Sequence, residues 1–247
     1  MCTVTWVESV GGFELFTNRD ELRTRPRAHP PRLHSTPSGR RFLAPVDSEA
    51  GGTWIAANEC GVVLCLLNHY QAAELAPGVT PRSRGLVVTQ LMEAASLASA
   101  FDALQAMDLG AVRGFRLIGL EVGGEPRLAA WDTRALELRS GDQVAAPLIS
   151  SGFDFPGVER ARRETFEALR QEHGAVTANM LEQFHASERP EPGPYAVSMS
   201  RPDAWTVSHT RVAVGGDVIC MRYQAGRPSD GGPVVSEQLV RSTTRPA

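Results

Sequence analysis

The sequence predicts an α+β fold in which antiparallel sheets pack with helices. Hydrophobic alternation and turn residues indicate strands first, then one helix, three strands, two helices and final strands. Because strands and helices do not alternate throughout the chain, a parallel sheet of the Rossmann type is not expected. Hairpins with helices grouped between them indicate instead a sandwich of antiparallel sheets.

The first element is expected to be a β-hairpin. Residues 3–8 are rich in β-forming side chains, a Gly-Gly pair provides a turn, and residues 13–17 return as a second strand. A hairpin brings the end of its second strand back to the start of its first. The segment 18–20 is therefore expected within about one side-chain length of Cys2.

Residues 23–50 are expected to lack regular structure. The segment contains five prolines, six arginines and two histidines. A long irregular segment in a compact chain is often a functional loop or lid, and a solvated surface excursion is an equally good interpretation. Its arginines favour an anionic substrate.

A central strand and a long helix are the clearest later elements. Residues 62–67 are almost continuously apolar, which predicts a strand covered on both faces and ending at Asn68. Residues 86–107 show the best helical periodicity. The other expected elements are strands at 51–57, 115–122, 127–131, 136–139, 195–200, 205–214 and 218–223, and helices at 156–173 and 178–185. We expect one domain over residues 1–227 and a flexible polar tail over 228–247.

Composition excludes several classes of function. The chain has 247 residues, a net charge of -3, and 25 basic residues that are all arginine. Without lysine, neither Schiff-base chemistry nor a Walker-type nucleotide site is available. The charge gives no general attraction to nucleic acid, and no apolar run is long enough for a membrane span. We expect a cytoplasmic protein that acts on a small molecule, with an oligomeric state that the sequence does not give.

No metal site or resident cofactor is expected. The spacing of Cys60 and Cys65 does not match a zinc knuckle, and no histidine lies at ligand spacing from them. The glycine pairs are turn residues, since none forms a GxGxxG pattern before a helix.

Cys2 is the most informative residue of the chain. Initiator methionine is usually removed before a small residue, which would leave Cys2 with both a thiol and a free α-amine. The ordinary pKa values of these groups, about 8.5 and about 7.7–8.0, are close enough for proton exchange near neutral pH. Cys2 is therefore a candidate nucleophile with its own base, and an unremarkable residue near a chain end is the alternative.

The segment beside Cys2 offers suitable partners. Asp20 is expected to orient the α-amine, while Arg19 is expected to lower the pKa of the thiol or to bind a substrate carboxylate. The Asn68 amide is a neutral donor for an oxyanion. Asn18 and Trp54 complete the candidate site as substrate-binding residues. A surface ion pair in a turn and a strand-end cap are the structural alternatives.

These residues also form a recognisable pattern. Met-Cys at the start, Asn-Arg-Asp-Glu at residues 18–21, Gly-Gly-Thr-Trp at 51–54 and Asn68 resemble the NRDE family, which includes the transport and Golgi organisation proteins. That family is similar to the N-terminal nucleophile hydrolases, whose fold is an αββα sandwich. The resemblance implies hydrolysis of a C–N amide bond with Cys2 as nucleophile, supported by Arg19, Asp20 and Asn68.

Two positions depart from the family pattern. Ser151 stands where an asparagine often helps to form the oxyanion hole, and it is the third expected substrate-binding residue. Ser208 lies in a stretch where the family often has an arginine. Both departures put the usual acyl-transfer chemistry or substrate in question.

Three functions therefore compete at the level of the sequence. The first is a cysteine amidohydrolase of unknown small substrate. The second is a non-enzymatic carrier or chaperone for haem or acyl lipids, in which Cys2, His69 or His209 would ligate haem. The third is a structural protein with a vestigial site.

Overall fold

The computed structural model describes residues 2–242, which form an αββα sandwich. The strands in this part are β1 Cys2–Ser9, β2 Gly12–Leu22, β3 His29–Ser35, β4 Arg41–Val46, β5 Ile55–Asn58, β6 Val63–Asn68, β7 Phe115–Leu120, β8 Arg127–Trp131, β9 Leu136–Ser140, β10 Leu148–Ser150, β11 Ala204–Gly215, β12 Val218–Ala225 and β13 Val234–Val240. The helices are α1 Gly85–Leu91, α2 Leu97–Ala106, α3 Phe155–His173 and α4 Ala178–Ala186. The α+β expectation is confirmed.

The strands of this region form two antiparallel sheets. One sheet has the order β10-β1-β2-β11-β12-β13, and the other runs from β3 through β9 in chain order. Their facing sides enclose the main core, which includes Val4, Leu15, Ile55, Cys65 and Val212. Because each sheet also has an apolar outer face, helices must cover both outer sides.

Each outer face has its own helical layer. Helices α1 and α2 cover the seven-stranded sheet through a cluster that includes Val88, Leu91 and Phe101. Helices α3 and α4 cover the six-stranded sheet through Phe166 and Phe184. Among the helices that the structure describes, none combines the length and the apolar character that a membrane span requires.

The N-terminal hairpin forms as the sequence predicts. Strands β1 and β2 pair antiparallel, and their register places Cys2 opposite Arg19. Strand β2 is longer than expected and continues to Leu22, which places the whole tetrad 18–21 within a strand. On its other side, β2 pairs with β11, so the tetrad lies inside the sheet.

The expectation of an irregular segment at 23–50 is wrong. Strands β3 and β4 form a hairpin there at the edge of the seven-stranded sheet. An edge strand tolerates proline because one side of its backbone needs no partner, and Pro30 and Pro31 lie in β3. Pro45 lies in β4 beyond residues 42–43, through which β4 pairs with β5.

The long helix expected at 86–107 is two helices. The chain leaves the helix after α1 because the Asn58 side chain binds the carbonyls of Met92 and Ala94, at 3.1 and 2.8 Å. Ser96 then caps α2 by accepting a hydrogen bond from the Ser99 N–H. Periodicity alone does not reveal this break, because the apolar residues continue on both sides of it.

Two further expectations need correction. Residues 195–199 form no strand in the described structure, because their backbone groups bind side chains and neighbouring loops, such as Val197 O to the Asn18 amide. In the expected tail, β13 pairs with β12 and extends the folded region past residue 227. The last part of that tail, residues 243–247, lies outside the described residues, as does Met1.

Candidate active site

A cavity of about 370 Å³ opens beside Cys2. The ends of β1, β2 and β6 meet there with the segment before α1. The residues that line it are Cys2, Arg19, Asp20, Glu21, Arg25, Asp47, Ala50, Gly52, Thr53, Trp54, Leu66, Asn68, Pro81, Arg82, Ser83, Arg84, Gly85 and Arg113. Five of the seven residues predicted for the site therefore share one cavity.

Cys2 is a buried free thiol at the start of β1. Burial raises the pKa of this thiol, and the nearby Asp20 carboxylate acts in the same direction. The Arg19 guanidinium and a hydrogen bond from the Asp20 backbone counteract the rise in the pKa. The thiol consequently depends on neighbouring positive charge to ionise near neutral pH.

Arg19 is fixed from two directions. Its guanidinium lies 2.7 Å from the carboxylate of Asp47 and 4.5 Å from the centre of the Trp54 ring. Cys2 and Arg19 are directly opposed in the β1–β2 register, so their side chains share the face between the sheets. This arrangement holds a cation beside the thiol.

Asp20 points to the other face of the same sheet. Its carboxylate accepts a hydrogen bond of 2.6 Å from Thr206 and lies 3.2 Å from the guanidinium of Arg162 on α3. Successive residues of a strand point to opposite faces, which separates the carboxylate from the side chain of Arg19. Asp20 thus reaches the Cys2 sulfur through its backbone and anchors α3 through its side chain.

Asn68 lies at the end of β6, where the sequence predicted it. Its amide donates a hydrogen bond of 2.8 Å to the hydroxyl of Tyr70 and remains partly exposed to the cavity. A neutral amide at the rim of the cavity can donate to an oxygen that becomes negative during acyl transfer.

Asn18 and Ser151 do not line the cavity. The Asn18 amide donates to the carbonyls of His185 and Val197, at 2.9 and 3.0 Å, on the face that α4 covers. Ser151 is fully buried, and its hydroxyl binds the backbone of Phe153. Both residues therefore connect segments of the fold in this structure, whereas a role in binding substrate was expected.

The histidines proposed as haem ligands lie apart from Cys2. His69 binds the carbonyl of Trp131 at 3.3 Å, and His209 binds Asn18 at 2.9 Å on the α4 side of the sheet. Neither is among the described residues that line the cavity. Ser208 is buried opposite Arg19 in the β11–β2 register.

The sequence did not reveal two parts of the site. These are the three arginines that form the basic wall of the cavity and the buried Arg162 that anchors α3 beneath it. Arg82 and Arg84 are two residues apart, but Arg113 joins them only through the fold, and no motif marks the three. Arg162 could have been found, because it interrupts the apolar stripe of α3 between Val158 and Phe166 at helical spacing. A charged residue in such a stripe requires a buried partner.

The sequence model of the family Transport and Golgi organisation 2 matches residues 1–214. The chain belongs to this family. The match includes Cys2, the tetrad 18–21 and Asn68, and it confirms the resemblance seen in the sequence. No curated protein sequence matches the chain.

Solved structures show which fold this member of the Transport and Golgi organisation 2 family has. Penicillin V acylase from Agrobacterium tumefaciens superposes with a TM-score of 0.59 at 11% identity, covering 96% of this chain and 85% of that one. The N-acylethanolamine-hydrolyzing acid amidase ortholog of Caenorhabditis elegans gives 0.61 at 14%, covering 85% and 92%. The C2A mutant of conjugated bile acid hydrolase from Clostridium perfringens gives 0.54 at 10%, covering 99% of both chains. The chain has the N-terminal nucleophile hydrolase fold of these proteins.

Proposed function

We propose that this protein is a cysteine amidohydrolase that cleaves the C–N bond of a small, non-peptide amide. The observation that carries the proposal is the buried Cys2 thiol in a cavity of about 370 Å³, with the Arg19 guanidinium on the same face of the sheet. The names of the three structural neighbours, an acylase, an amidase and a hydrolase of conjugates, agree with this reaction class. Removal of Met1 is part of the proposal.

The reaction begins at the thiol of Cys2. The α-amine of the processed chain takes the thiol proton, and the sulfur attacks the carbonyl carbon of the amide. The C–N bond then breaks, the nitrogen leaves with the proton held by the α-amine, and the acyl group remains as a thioester. Water attacks the thioester, releases the acid and returns the proton to the thiol.

Three neighbours have roles in this sequence. Arg19 stabilises the thiolate by its charge, and its pairing with Asp47 keeps it in place. Asn68 donates to the oxyanion of the tetrahedral intermediate. Asp20 positions Cys2 through its backbone hydrogen bond to the sulfur and holds the strand against α3 through Arg162.

A cytoplasmic location belongs to the same proposal. Cys2, Cys60, Cys65 and Cys220 are all free thiols in the structure. Free cysteines are typical of proteins from a reducing compartment. A nucleophilic thiol also requires such conditions to remain active.

Intact mass and amide turnover test the proposal together. We expect the purified protein to be lighter than the full sequence by one methionine. In a panel of acyl amides, Cys2→Ala should lose all turnover, while Cys220→Ala, which removes another free thiol, should retain it. Retention of Met1 in an active protein would contradict the role of the α-amine, and turnover by Cys2→Ala would contradict the nucleophile.

An acyl-lipid carrier is a second candidate, favoured by an adjoining apolar cavity. This cavity has a volume of about 320 Å³ and shares Arg19, Glu21 and Arg25 with the first. Its apolar lining comprises Pro26, Ala28, Pro30, Trp205, Val207, Tyr223, Ala225, Pro233 and Val235. Binding of a fluorescent fatty acid to wild type without amide turnover would favour the carrier. Turnover that depends on Cys2 would favour the hydrolase.

A further inference from the structure

The wall of the Cys2 cavity carries more positive charge than its own carboxylates neutralise. Arg19 and Arg25 both pair with Asp47. Within residues 2–242, by contrast, no carboxylate forms an ion pair with Arg82, Arg84 or Arg113. An unneutralised group of guanidinium ions in a cleft attracts an anion.

Backbone contacts hold two of these three arginines, Arg82 and Arg84, in place, while the exposed Arg113 lies beside them on the cavity wall. Arg84 donates to the carbonyl of Gly114 at 3.2 Å, and Arg82 donates to the carbonyl of Asp108 at 2.8 Å. The backbone N–H of Arg82 also binds the carbonyl of Ala111 at 2.7 Å. The segments before α1 and before β7 therefore form one platform, on which the charged groups are prearranged.

Close packing of two glycines places this platform over Cys2. A Cβ atom at Gly52 would lie 2.5 Å from the carbonyl carbon of Gly85, and one at Gly85 would lie 2.7 Å from Thr53 N. Only glycine allows the backbones to approach this closely. The second glycine of the Gly-Gly-Thr-Trp motif thus brings Arg84 into the cavity that contains Cys2 and Trp54.

The charges of Arg82 and Arg84 are also incompletely satisfied. Burial lowers the pKa of Arg84 most, and the neighbouring charge of Arg113 lowers it further. Tyr70, Cys2 and Glu21 oppose this fall in the pKa without forming an ion pair with Arg84 in the described structure. Arg82 has a buried Nε atom without a hydrogen-bond acceptor in the described part of the chain. An incoming carboxylate would offer acceptors to the guanidinium groups that line the cavity.

We propose that Arg82, Arg84 and Arg113 form an anion subsite that receives a carboxylate of the substrate. The substrate class is then an amide that carries a carboxylate elsewhere in the same small molecule. This inference rests on the proposed hydrolase function for the scissile bond, but the binding of the anion does not require turnover. Guanidinium groups suit a carboxylate because they donate two parallel hydrogen bonds.

Alkylation of Cys2 with two matched reagents tests the subsite. Iodoacetate and iodoacetamide have nearly the same shape, and in each case the thiolate displaces iodide, but only iodoacetate carries a carboxylate. Peptide mass spectrometry gives separate rate constants at Cys2 and at Cys220, a half-buried thiol outside the cavity. At each cysteine, the rate constant for iodoacetate is divided by the rate constant for iodoacetamide. This ratio removes the effect of thiol pKa, because both reagents react with the same thiolate.

The ratio of the iodoacetate rate constant to the iodoacetamide rate constant should be about tenfold higher at Cys2 than at Cys220. A factor of about ten is the effect expected of one charge-assisted hydrogen bond. In Arg84→Gln the ratio at Cys2 should fall toward that at Cys220. Arg170→Gln, which removes an exposed arginine of α3, should leave both ratios unchanged. The charge of Arg19 also lies beside Cys2, so a fall in the ratio is needed to assign the effect to the subsite, and Arg82→Gln provides this comparison if Arg84→Gln fails to fold.

Equal ratios at Cys2 and Cys220 would overturn the proposal. An unchanged ratio in folded Arg84→Gln, or failure of both reagents to reach Cys2, would overturn it as well. A high ratio at Cys2 in a protein that hydrolyses no amide would support the subsite and contradict only the proposed hydrolysis. Loss of turnover and loss of the anion effect are therefore separate results.

Discussion

The guanidinium of Arg162 lies 3.2 Å from the carboxylate of Asp20, and both side chains are fully buried. Arg162 also contacts the hydroxyl of Thr3, while Asp20 accepts from Thr206. This pair connects α3 to three strands of the six-stranded sheet directly below the Cys2 cavity. The Asp of the tetrad therefore has a structural task that its place in a sequence motif does not reveal.

Replacing Arg162 should strongly destabilise the protein. Loss of one partner leaves the other charge buried without compensation, which typically costs about 3–5 kcal/mol. We expect Arg162→Ala to lower the free energy of urea-induced unfolding by that amount. Arg163→Ala is the matched control, because Arg163 is the next residue of α3 but pairs with Glu159 in solvent. Its effect should remain within about 0.5 kcal/mol, and similar losses in both variants would contradict the importance of the buried pair.

A second prediction concerns the contact between Gly52 and Gly85. A methyl group at Gly52 would overlap backbone atoms that cannot move aside as a side chain can. We expect Gly52→Ala to lower the free energy of unfolding by about 1–3 kcal/mol. Gly215→Ala is the control, since a Cβ there meets nothing within 4 Å. Denaturant titration of both variants measures these free energies of unfolding. If Gly52→Ala were as stable as Gly215→Ala, the backbone segments at Gly52 and Gly85 would separate at little energetic cost.

Strand periodicity and turn residues predict much of the fold. The hairpin of β1 and β2 follows from alternation around a Gly-Gly turn, and its register alone brings Arg19 opposite Cys2. Helix α3 follows equally directly, because Asp154 and Gly174 mark its ends and an apolar stripe runs between them. Such local signals depend on residues only a few positions apart.

The features that the sequence does not predict depend on distant contacts. Asn58 ends α1 by binding carbonyls more than 30 positions away along the chain. Asn18 and Asp20 are neighbours of Arg19, yet strand alternation points their side chains to the α4 and α3 side. The basic wall of the cavity depends on the packing of Gly52 against Gly85, which brings Arg84 into the cavity.

A third prediction concerns the pH dependence of stability. His185 is fully buried on α4, between Thr5 and Asn18, and burial holds its pKa well below the ordinary value, with His209 and Arg162 adding positive charge. The unfolded chain therefore binds a proton below about pH 6.5 that the folded chain does not bind. Stability should fall as the pH drops through this window, by at most about 1.4 kcal/mol per pH unit from this group.

Substituting His185 should reduce that slope. We expect His185→Gln to be less stable at neutral pH but to lose less further stability between about pH 6.5 and pH 4.5. Urea denaturation at several pH values measures the slope directly. His173→Gln is the control, since His173 is only partly buried at the end of α3 and its hydrogen bond to Gln183 is exposed. A slope in His185→Gln as steep as that of wild type would show that other groups cause the acid sensitivity.

The last prediction concerns how Arg19 controls the thiol. Burial raises the pKa of Cys2, and the positive charge of Arg19 opposes this rise. In Arg19→Gln the pH–rate profile for alkylation of Cys2 by uncharged iodoacetamide should therefore shift to higher pH. The freed carboxylate of Asp47 would act in the same direction, since it loses its partner at 2.7 Å.

Arg25→Gln separates this effect from a general loss of charge. Arg25 lines the same cavity and also binds Asp47, but it is not among the charges that act on the Cys2 thiol. The pH–rate profile of Arg25→Gln for alkylation of Cys2, followed by peptide mass spectrometry, should stay near that of wild type. Coincident profiles for Arg19→Gln and wild type would mean that another group ionises the thiol. Arg19 would then serve through its contact with the Trp54 ring, as a wall of the cavity.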